Sequence, residues 1–315
     1  TVAAGVNFPA RSVVFLNSDR FNGTQFLPLD ATEFHQMTGR AGRRGMDNIG
    51  FALLLPNKYM DVRWLAKLFH SPPEGVSSQI KINFSMVLNL LLSHDPDQIR
   101  DLLKRSFASY LIGKGAPKKS RRDPRRDLWE AFSRHLNFLK ESGYVTKTGA
   151  LTEDGQWASQ LRVDQPLLIA EGFRQGLLPQ NEANLLAAII AAFVNERESD
   201  TKMSKKGVPK ALWGAFDRVV KGLRPFAWQM LKRGFEARVL HLRPVVAIYA
   251  WANGEPWEKV RVLAEMEEGD LVMLILRTAD NLRHIRRLKS AFPDAAQAAH
   301  QAIELILREP VVFDY

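Results

Sequence analysis

The sequence predicts a mainly α protein that opens with a short α/β stretch. Residues 161–315 are helical in period almost throughout, with candidate helices at Pro166–Arg174, Asn181–Arg197, Lys210–Leu231, Arg238–Ala252, Trp257–Glu265, Asp270–Ser290 and Ala295–Leu307. Glycine, proline or a capping residue falls between most of them, as helix boundaries require. Residues 1–60 instead carry two short apolar runs, Ser12–Leu16 (SVVFL) and Ile49–Leu55 (IGFALLL), bounded by polar residues and Pro56 as buried strands are. No repeat period of roughly 30–40 residues is present, which argues against a solenoid.

The elements follow in order. Thr32 is placed to cap a helix over Glu33–Met37 that stops at Gly39. Two strands and one helix do not close a parallel sheet, so this stretch reads as the remnant of a larger α/β lobe. In KINFSMVLNLLLSH, Ile82, Met86, Leu90 and Val87, Leu91 recur at helical spacing until Ser93–Pro96 interrupts them. Pro96 then opens a helix through DPDQIRDLLKRSFASYL, where its missing N–H costs nothing. Lys114–Asp127 (KGAPKKSRRDPRRD) is a basic linker, equally readable as a solvated connector or a polyanion contact. LWEAFSRHLNFLKESG is an amphipathic helix ended by Gly143, and YVTKTGALTEDGQWAS alternates around Thr148-Gly149 like a two-stranded wing. The expected organisation is therefore an α/β remnant at 1–60, a winged-helix module at 61–160 with its basic linker at 113–127, and a helical bundle at 161–315.

Composition narrows the function classes. A content of 46% hydrophobic residues, with seven tryptophans, excludes wholesale disorder in a chain of 315 residues. With no cysteine, disulfides and cysteine-ligated zinc are excluded. The seven histidines lack the spacing of a helical metal site, so no metal ligand is expected. No apolar run approaches the roughly 18 residues of a membrane span. A net charge of +10 and a pI near 9.8 favour a polyanionic partner.

The most informative string is His35–Asp47, HQMTGRAGRRGMD, which places Gln36, Gly39, Arg40, Gly42, Arg43 and Arg44 close together. Arginine presents a planar fork matched to phosphate oxygens, and glycine lets the backbone approach a ligand. Guanidiniums packed this tightly repel one another unless an anion is shared among them, which favours a polyphosphate site over a basic glycine-rich surface turn.

At these residues the chain resembles the Ski-like DExH-box RNA helicases of superfamily two. Their fifth motif is similar to Thr1–Arg11 (TVAAGVNFPAR) and their sixth to Gln36–Gly45, with Phe21-Asn22-Gly23 and Glu33-Phe34 matching family features between them. The resemblance implies a RecA-like lobe that closes on ATP and Mg²⁺, with Gln36, Gly39, Arg40, Gly42 and Arg43 reaching the nucleotide and one arginine on the γ-phosphate. It places Thr1, Gly5 and Asn7 where that lobe meets the nucleic-acid backbone. No GxxxxGK followed by Ser or Thr occurs, and no DExH or DEAD box. The chain is thus expected to be the C-terminal piece of a longer helicase, inactive alone.

The second half resembles the DSHCT domain of the same enzymes through Gly143–Val145, LTEDGQWAS, DQPLLIAEGFRQGLL, AAIIAAFVNER, VVAIYAWANGEPW and EEGDLVMLILRTADNLRHI, in family order. In Asp270–Ser290, Leu271, Leu274, Ile275, Leu282 and Ile285 form an apolar stripe. Arg277, Asn281 and His284 fall on another face over roughly 10 Å, a length suited to two or three nucleotides. The resemblance makes this the ratchet helix, with Arg277 at the RNA-contacting arginine and Glu196 at its acidic partner. An ordinary surface arginine, or an Arg277–Glu196 ion pair, is the plainer alternative. Arg283, Arg286, Arg287 and Lys289 extend the positive charge, which also suits the helix dipole. Trp213, Trp228 and Trp251 are expected in the core, with base stacking left open for Trp257.

The expected function is an ATP-dependent, 3′-to-5′ RNA helicase in the cytoplasm, acting on single-stranded 3′ overhangs, in company with a nuclease or RNA-processing complex. A non-catalytic nucleic-acid-binding scaffold and a related DNA helicase remain as alternatives.

Overall fold

The computed structural model describes residues 9–21, 25–73, 78, 80–115, 124–163, 165–194, 203 and 205–312. The chain divides into two compact units, Thr1–Ser78 and Gln79–Tyr315.

In the first unit, strands β1 (Ser12–Phe15) and β4 (Phe51–Leu54) pair in parallel, with Ser12 opposite Phe51 and Phe15 opposite Leu54. Between them lie an antiparallel pair, β2 (Asp19–Phe21) and β3 (Phe26–Pro28), and helix α1 (Ala31–Thr38); helix α2 (Val62–His70) follows. Phe15, Leu29, Ala31, Phe34, Leu65 and Leu68 form a small core of their own. Two expectations change here. The strands expected to be buried leave Val14 at 53% and Leu53 at 50% exposure, because two strands have too few neighbours to cover both faces. The cap of α1 is Asp30, not Thr32. Its Oδ1 accepts from the Glu33 N–H at 2.8 Å, and the Glu33 carboxylate accepts from the Asp30 N–H at 3.2 Å. This reciprocal box satisfies two donors at once, which a threonine already inside the first turn does not do.

Among its described residues the second unit is helical apart from one β-bridge. It comprises α3 (Phe84–Leu91), α4 (Pro96–Lys104), α5 (Phe107–Gly115), α6 (Pro124–Glu141), α7 (Glu153–Ala158), α8 (Pro166–Arg174), α9 (Ala183–Val194), α10 (Lys210–Lys232), α11 (Leu242–Ala252), α12 (Trp257–Ala264), α13 (Glu268–Ile285) and α14 (Pro293–Ile306). Helix α9, ANLLAAIIAAFV, is buried on every side from Leu185 to Val194. A helix apolar all round has no solvent face to offer, and its alanines let neighbours approach closely. Helices α10, α11, α13 and α14 all pack on it.

Five local expectations are revised. The helix begun at Pro96 breaks at Arg105–Ser106 into α4 and α5, where Ser106 and Ser109 hydroxyls both take the Leu103 carbonyl. The supposed wing is a single antiparallel bridge, Val145 to Leu151, and LTEDGQWAS turns into α7 under a Thr152 cap. Helix α11 starts at Leu242 rather than Arg238, and α13 ends at Ile285 rather than Ser290. Trp228, expected in the core, is 56% exposed with the Lys232 ammonium 3.5 Å from its ring centre.

Candidate nucleotide and nucleic-acid sites

The arginine-rich loop begins where α1 runs out. Arg40 and Ala41 N–H groups close onto the carbonyls of Met37 and Thr38 at 3.1 and 2.9 Å. The chain then ties to the preceding strand segment: Ala10 N–H donates to Arg40 O at 3.0 Å, and Gly42 N–H to Ala10 O at 2.7 Å. Gly42 sits at φ 91°, open to glycine and strained for other residues. Gly50 passes so close that a Cβ there would stand 2.4 Å from the Ala41 carbonyl carbon. Gly39 and Gln36 lie exposed at the end of α1, Arg40 and Arg43 are half-buried, and Arg44 is exposed.

The anion that Arg43 meets is Asp47. Its Nε donates to Asp47 Oδ2 at 2.8 Å and its Nη2 to Oδ1 at 3.1 Å, while its backbone N–H donates to Oδ2 at 3.0 Å. The carboxylate is 7% exposed. The Arg43 hydrogen bonds hold its pKa down to about 2, and the same pairing raises that of Arg43. The far edge of the guanidinium stays available to a second anion. Asp47 is a functional residue that the motif alone does not single out; its signal in the sequence is a lone carboxylate four residues after an arginine in a basic run. Gly50 and the Ala10 carbonyl carried no comparable signal. Thr1, Gly5 and Asn7, together with Asn22-Gly23, lie outside the described residues.

In the second unit, α13 presents Leu271, Leu274, Ile275, Leu282 and Ile285 to the core, as the stripe requires. The polar row is less open than its spacing suggests. Arg277 is half-buried, and Asn281 is 4% exposed with its side-chain amide donating to the Arg277 carbonyl at 2.9 Å. His284 is half-buried, its Nδ1 lying 3.2 Å from the Gln160 carbonyl, and burial pushes its pKa below the ordinary imidazole value. The structure therefore places the row together on one helix, with Arg277 and His284 at its accessible ends. Glu196 and most of the basic linker lie outside the described residues. Trp251 is 1% exposed, and Trp257 packs against it at 5.3 Å while donating to Glu268 at 2.9 Å.

The bundle packed on the buried alanine-rich helix α9 places the chain in the class of proteins that carry a DSHCT domain, and the chain is similar there to the C-terminal region of Ski-like DExH helicases. The family model of the DSHCT (NUC185) domain matches residues 148–314, more than half of the chain. The chain belongs to the DSHCT family. It is 33% identical over 169 residues to Superkiller complex protein 2 of Mus musculus, covering 53% of this chain and 13% of that protein. It is 38% identical over 110 residues to the probable helicase HelY of Mycobacterium tuberculosis, covering 35% of this chain and 12% of that protein. It is 40% identical over 110 residues to the exosome RNA helicase MTR4 of Homo sapiens, covering 35% of this chain and 10% of that protein. The matched stretches thus span a small part of each relative's length.

Proposed function

We propose that this chain is the C-terminal portion of an ATP-dependent RNA helicase that moves 3′-to-5′ on single-stranded overhangs in the cytoplasm. The observation that carries the reading is the Arg43 loop joined in one chain to a DSHCT bundle. Among the described residues no helix is long and apolar enough to cross a membrane. The modules expected at 1–60, 61–160 and 161–315 serve as part of the ATP-closing lobe, a winged-helix module and the strand-holding bundle, with α2 (Val62–His70) packing in the core of the first unit rather than with α3–α7.

The loop's donor set fits a polyphosphate: two half-buried guanidiniums, a glycine at positive φ, and a nearby carboxylate already neutralised by Arg43. Gln36, Gly39, Arg40, Gly42 and Arg43 hold the nucleotide's phosphates. Arg43, kept in its rotamer by Asp47, presents fixed positive charge where negative charge develops on the transferred phosphoryl group. ATP with Mg²⁺, when bound, supplies the phosphoryl-transfer free energy. Most of the Mg²⁺ ligands are assigned to the N-terminal part of the full-length protein. Thr1, Gly5 and Asn7 meet the nucleic-acid backbone, and Arg277, Asn281, His284 and Glu196 hold the strand between strokes. A nuclease or RNA-processing complex takes the product.

The test is the full-length protein carrying Arg43→Ala. ATP turnover is expected to fall on the order of a thousandfold or more, with RNA affinity little changed. Wild-type turnover in that variant overturns the assignment. Preference of the chain for DNA over matched RNA overturns the choice of nucleic acid.

A further inference from the structure

In the polar row of α13, His284 is the member whose hydrogen-bonding state the fold fixes. It stands seven residues after Arg277, close to two full turns on the same face and roughly 10 Å further along. Gln160, just after α7, brings its carbonyl 3.2 Å from His284 Nδ1. A carbonyl only accepts, so Nδ1 carries the proton of that contact. Burial pushes the imidazole pKa below its ordinary value; the Arg287 and Arg162 charges add to this, and the Gln160 contact and Asp280 oppose it without reversing it. At neutral pH the ring is therefore uncharged, with its proton on Nδ1 and a lone pair on Nε2. Among the described residues Nε2 has no hydrogen-bond partner, and it is open to solvent.

The groups around this lone pair decide what it meets. Arg162 is exposed, and its Nη2 donates to the neutral Asn89 Oδ1 at 2.8 Å, which steers the guanidinium without cancelling its charge. Arg287 is exposed three residues past His284. Both guanidiniums suit phosphate oxygens, which only accept. Such an oxygen offers nothing to Nε2, because lone pair would face lone pair. Along a sugar–phosphate backbone the recurring group that donates is the ribose 2′-hydroxyl, and DNA lacks it. Base donors differ from one nucleotide to the next, whereas this hydroxyl repeats at every one.

We propose that His284 Nε2 accepts a hydrogen bond from a ribose 2′-hydroxyl, with Arg162 and Arg287 on adjoining phosphates, and that this contact makes the site prefer RNA to DNA. The inference rests on the reading of the α13 row as a single-strand path and adds to it the group that tells the two nucleic acids apart.

The test is fluorescence-anisotropy titration of the whole 315-residue chain at about pH 7.5, where the imidazole is neutral. The probes are labelled oligouridylate, its 2′-fluoro analogue and oligodeoxyuridylate. The 2′-fluoro strand keeps the base and the ribose-like pucker and lacks the donor. Wild type is expected to bind the oligouridylate about three- to tenfold more tightly than either other strand, the worth of one hydrogen bond. In His284→Phe the three affinities converge through a loss on the oligouridylate alone, and a melting curve matching wild type shows that the variant is folded. Equal wild-type binding of the oligouridylate and its 2′-fluoro analogue overturns the proposal, a comparison that needs no variant. A folded His284→Phe that weakens all three strands alike, or keeps the preference, overturns it too. Arg277→Ala separates the contact from the strand path beneath it. If that variant weakens every strand while wild type shows no 2′-hydroxyl preference, the path stands and the His284 contact fails. If it weakens none while the preference persists and is lost in His284→Phe, the Arg277 assignment fails and the contact stands.

Discussion

Arg43 and Asp47 form a two-pronged clasp, Nε to Oδ2 at 2.8 Å and Nη2 to Oδ1 at 3.1 Å, within a loop that also carries Arg40 and Arg44. The clasp resolves the repulsion that clustered guanidiniums would otherwise impose and leaves Arg43 with one fixed direction. Asp47 keeps its charge because Arg43 holds its pKa to about 2, below the ordinary 3.8. The contact is therefore complete above the ordinary carboxylate value and is lost only as pH falls through the lowered one.

Asp47→Asn in the full-length protein keeps the size of the side chain but removes its charge and one of its two acceptors, since the amide nitrogen only donates. Turnover is expected to fall by about tenfold to a hundredfold, less than the thousandfold or more for losing an arginine that stabilises the transferred phosphoryl group. RNA affinity should not move. Unchanged ATP turnover would show that Asp47 does not position Arg43 for catalysis.

Gly50 is the loop's packing constraint. Adding a methyl group brings it to 2.4 Å from the Ala41 carbonyl carbon and 2.6 Å from the Gly42 nitrogen, both backbone atoms that cannot rotate away. Gly50→Ala is expected to destabilise the first unit by about 1–3 kcal/mol and to speed amide exchange at Gly42. Wild-type exchange rates there would mean the loop is held from elsewhere.

In the bundle, Glu171 is 4% exposed and serves three donors. Tyr144 donates from its hydroxyl at 3.1 Å, Gln175 from its amide at 2.6 Å, and Arg174 pairs with the same carboxylate. Burial, then the Glu171 charge, push the Tyr144 hydroxyl pKa upward. Glu171→Ala strands these donors and is expected to cost about 3 kcal/mol, against about 1–2 kcal/mol for Tyr144→Phe. Urea unfolding of the two variants measures the difference; equal losses would rule out the carboxylate as the hub.

His135, Phe84 and Phe235 form a triangle of rings with all three centroid distances 4.7 Å, and the His135 Nδ1 donates to the Ala131 carbonyl at 2.7 Å. Burial lowers its pKa, as it does for His284. The unfolded chain then binds more protons than the folded one just below the ordinary imidazole value, so stability falls as pH drops through that window. The melting temperature at about pH 5.5 is expected to lie below that at about pH 7.5, with the gap narrowed in His135→Phe. A pH-independent melting temperature would contradict the buried neutral imidazole.

Much of this protein was legible along the chain because its signals are local. The stripe Leu271, Leu274, Ile275, Leu282 and Ile285 repeats at the helical period and is buried. The helix that the sequence predicts at Pro166–Arg174 has those same bounds in the structure. The string Gln36–Gly45 needs only residue order to be recognised. Periodicity, glycine placement and motif order all operate over a few residues, which is the range that a single sequence records.

What the tertiary structure decided involves partners that spacing alone does not select. Asp30 rather than Thr32 caps α1 because the backbone enters the helix two residues earlier. Trp228 faces water while Trp251, in an equally apolar run, is buried with its indole N–H on the Ile306 carbonyl at 2.8 Å. Asn281, on the polar side by spacing, is covered. The basic end of α13 becomes a cleft only when Gln297 and His300 arrive opposite it on α14. By itself the sequence determined which chemistry was present and on which helix. Through-space packing then determined which groups met solvent and which met each other, because burial and pairing depend on neighbours that local periodicity does not encode.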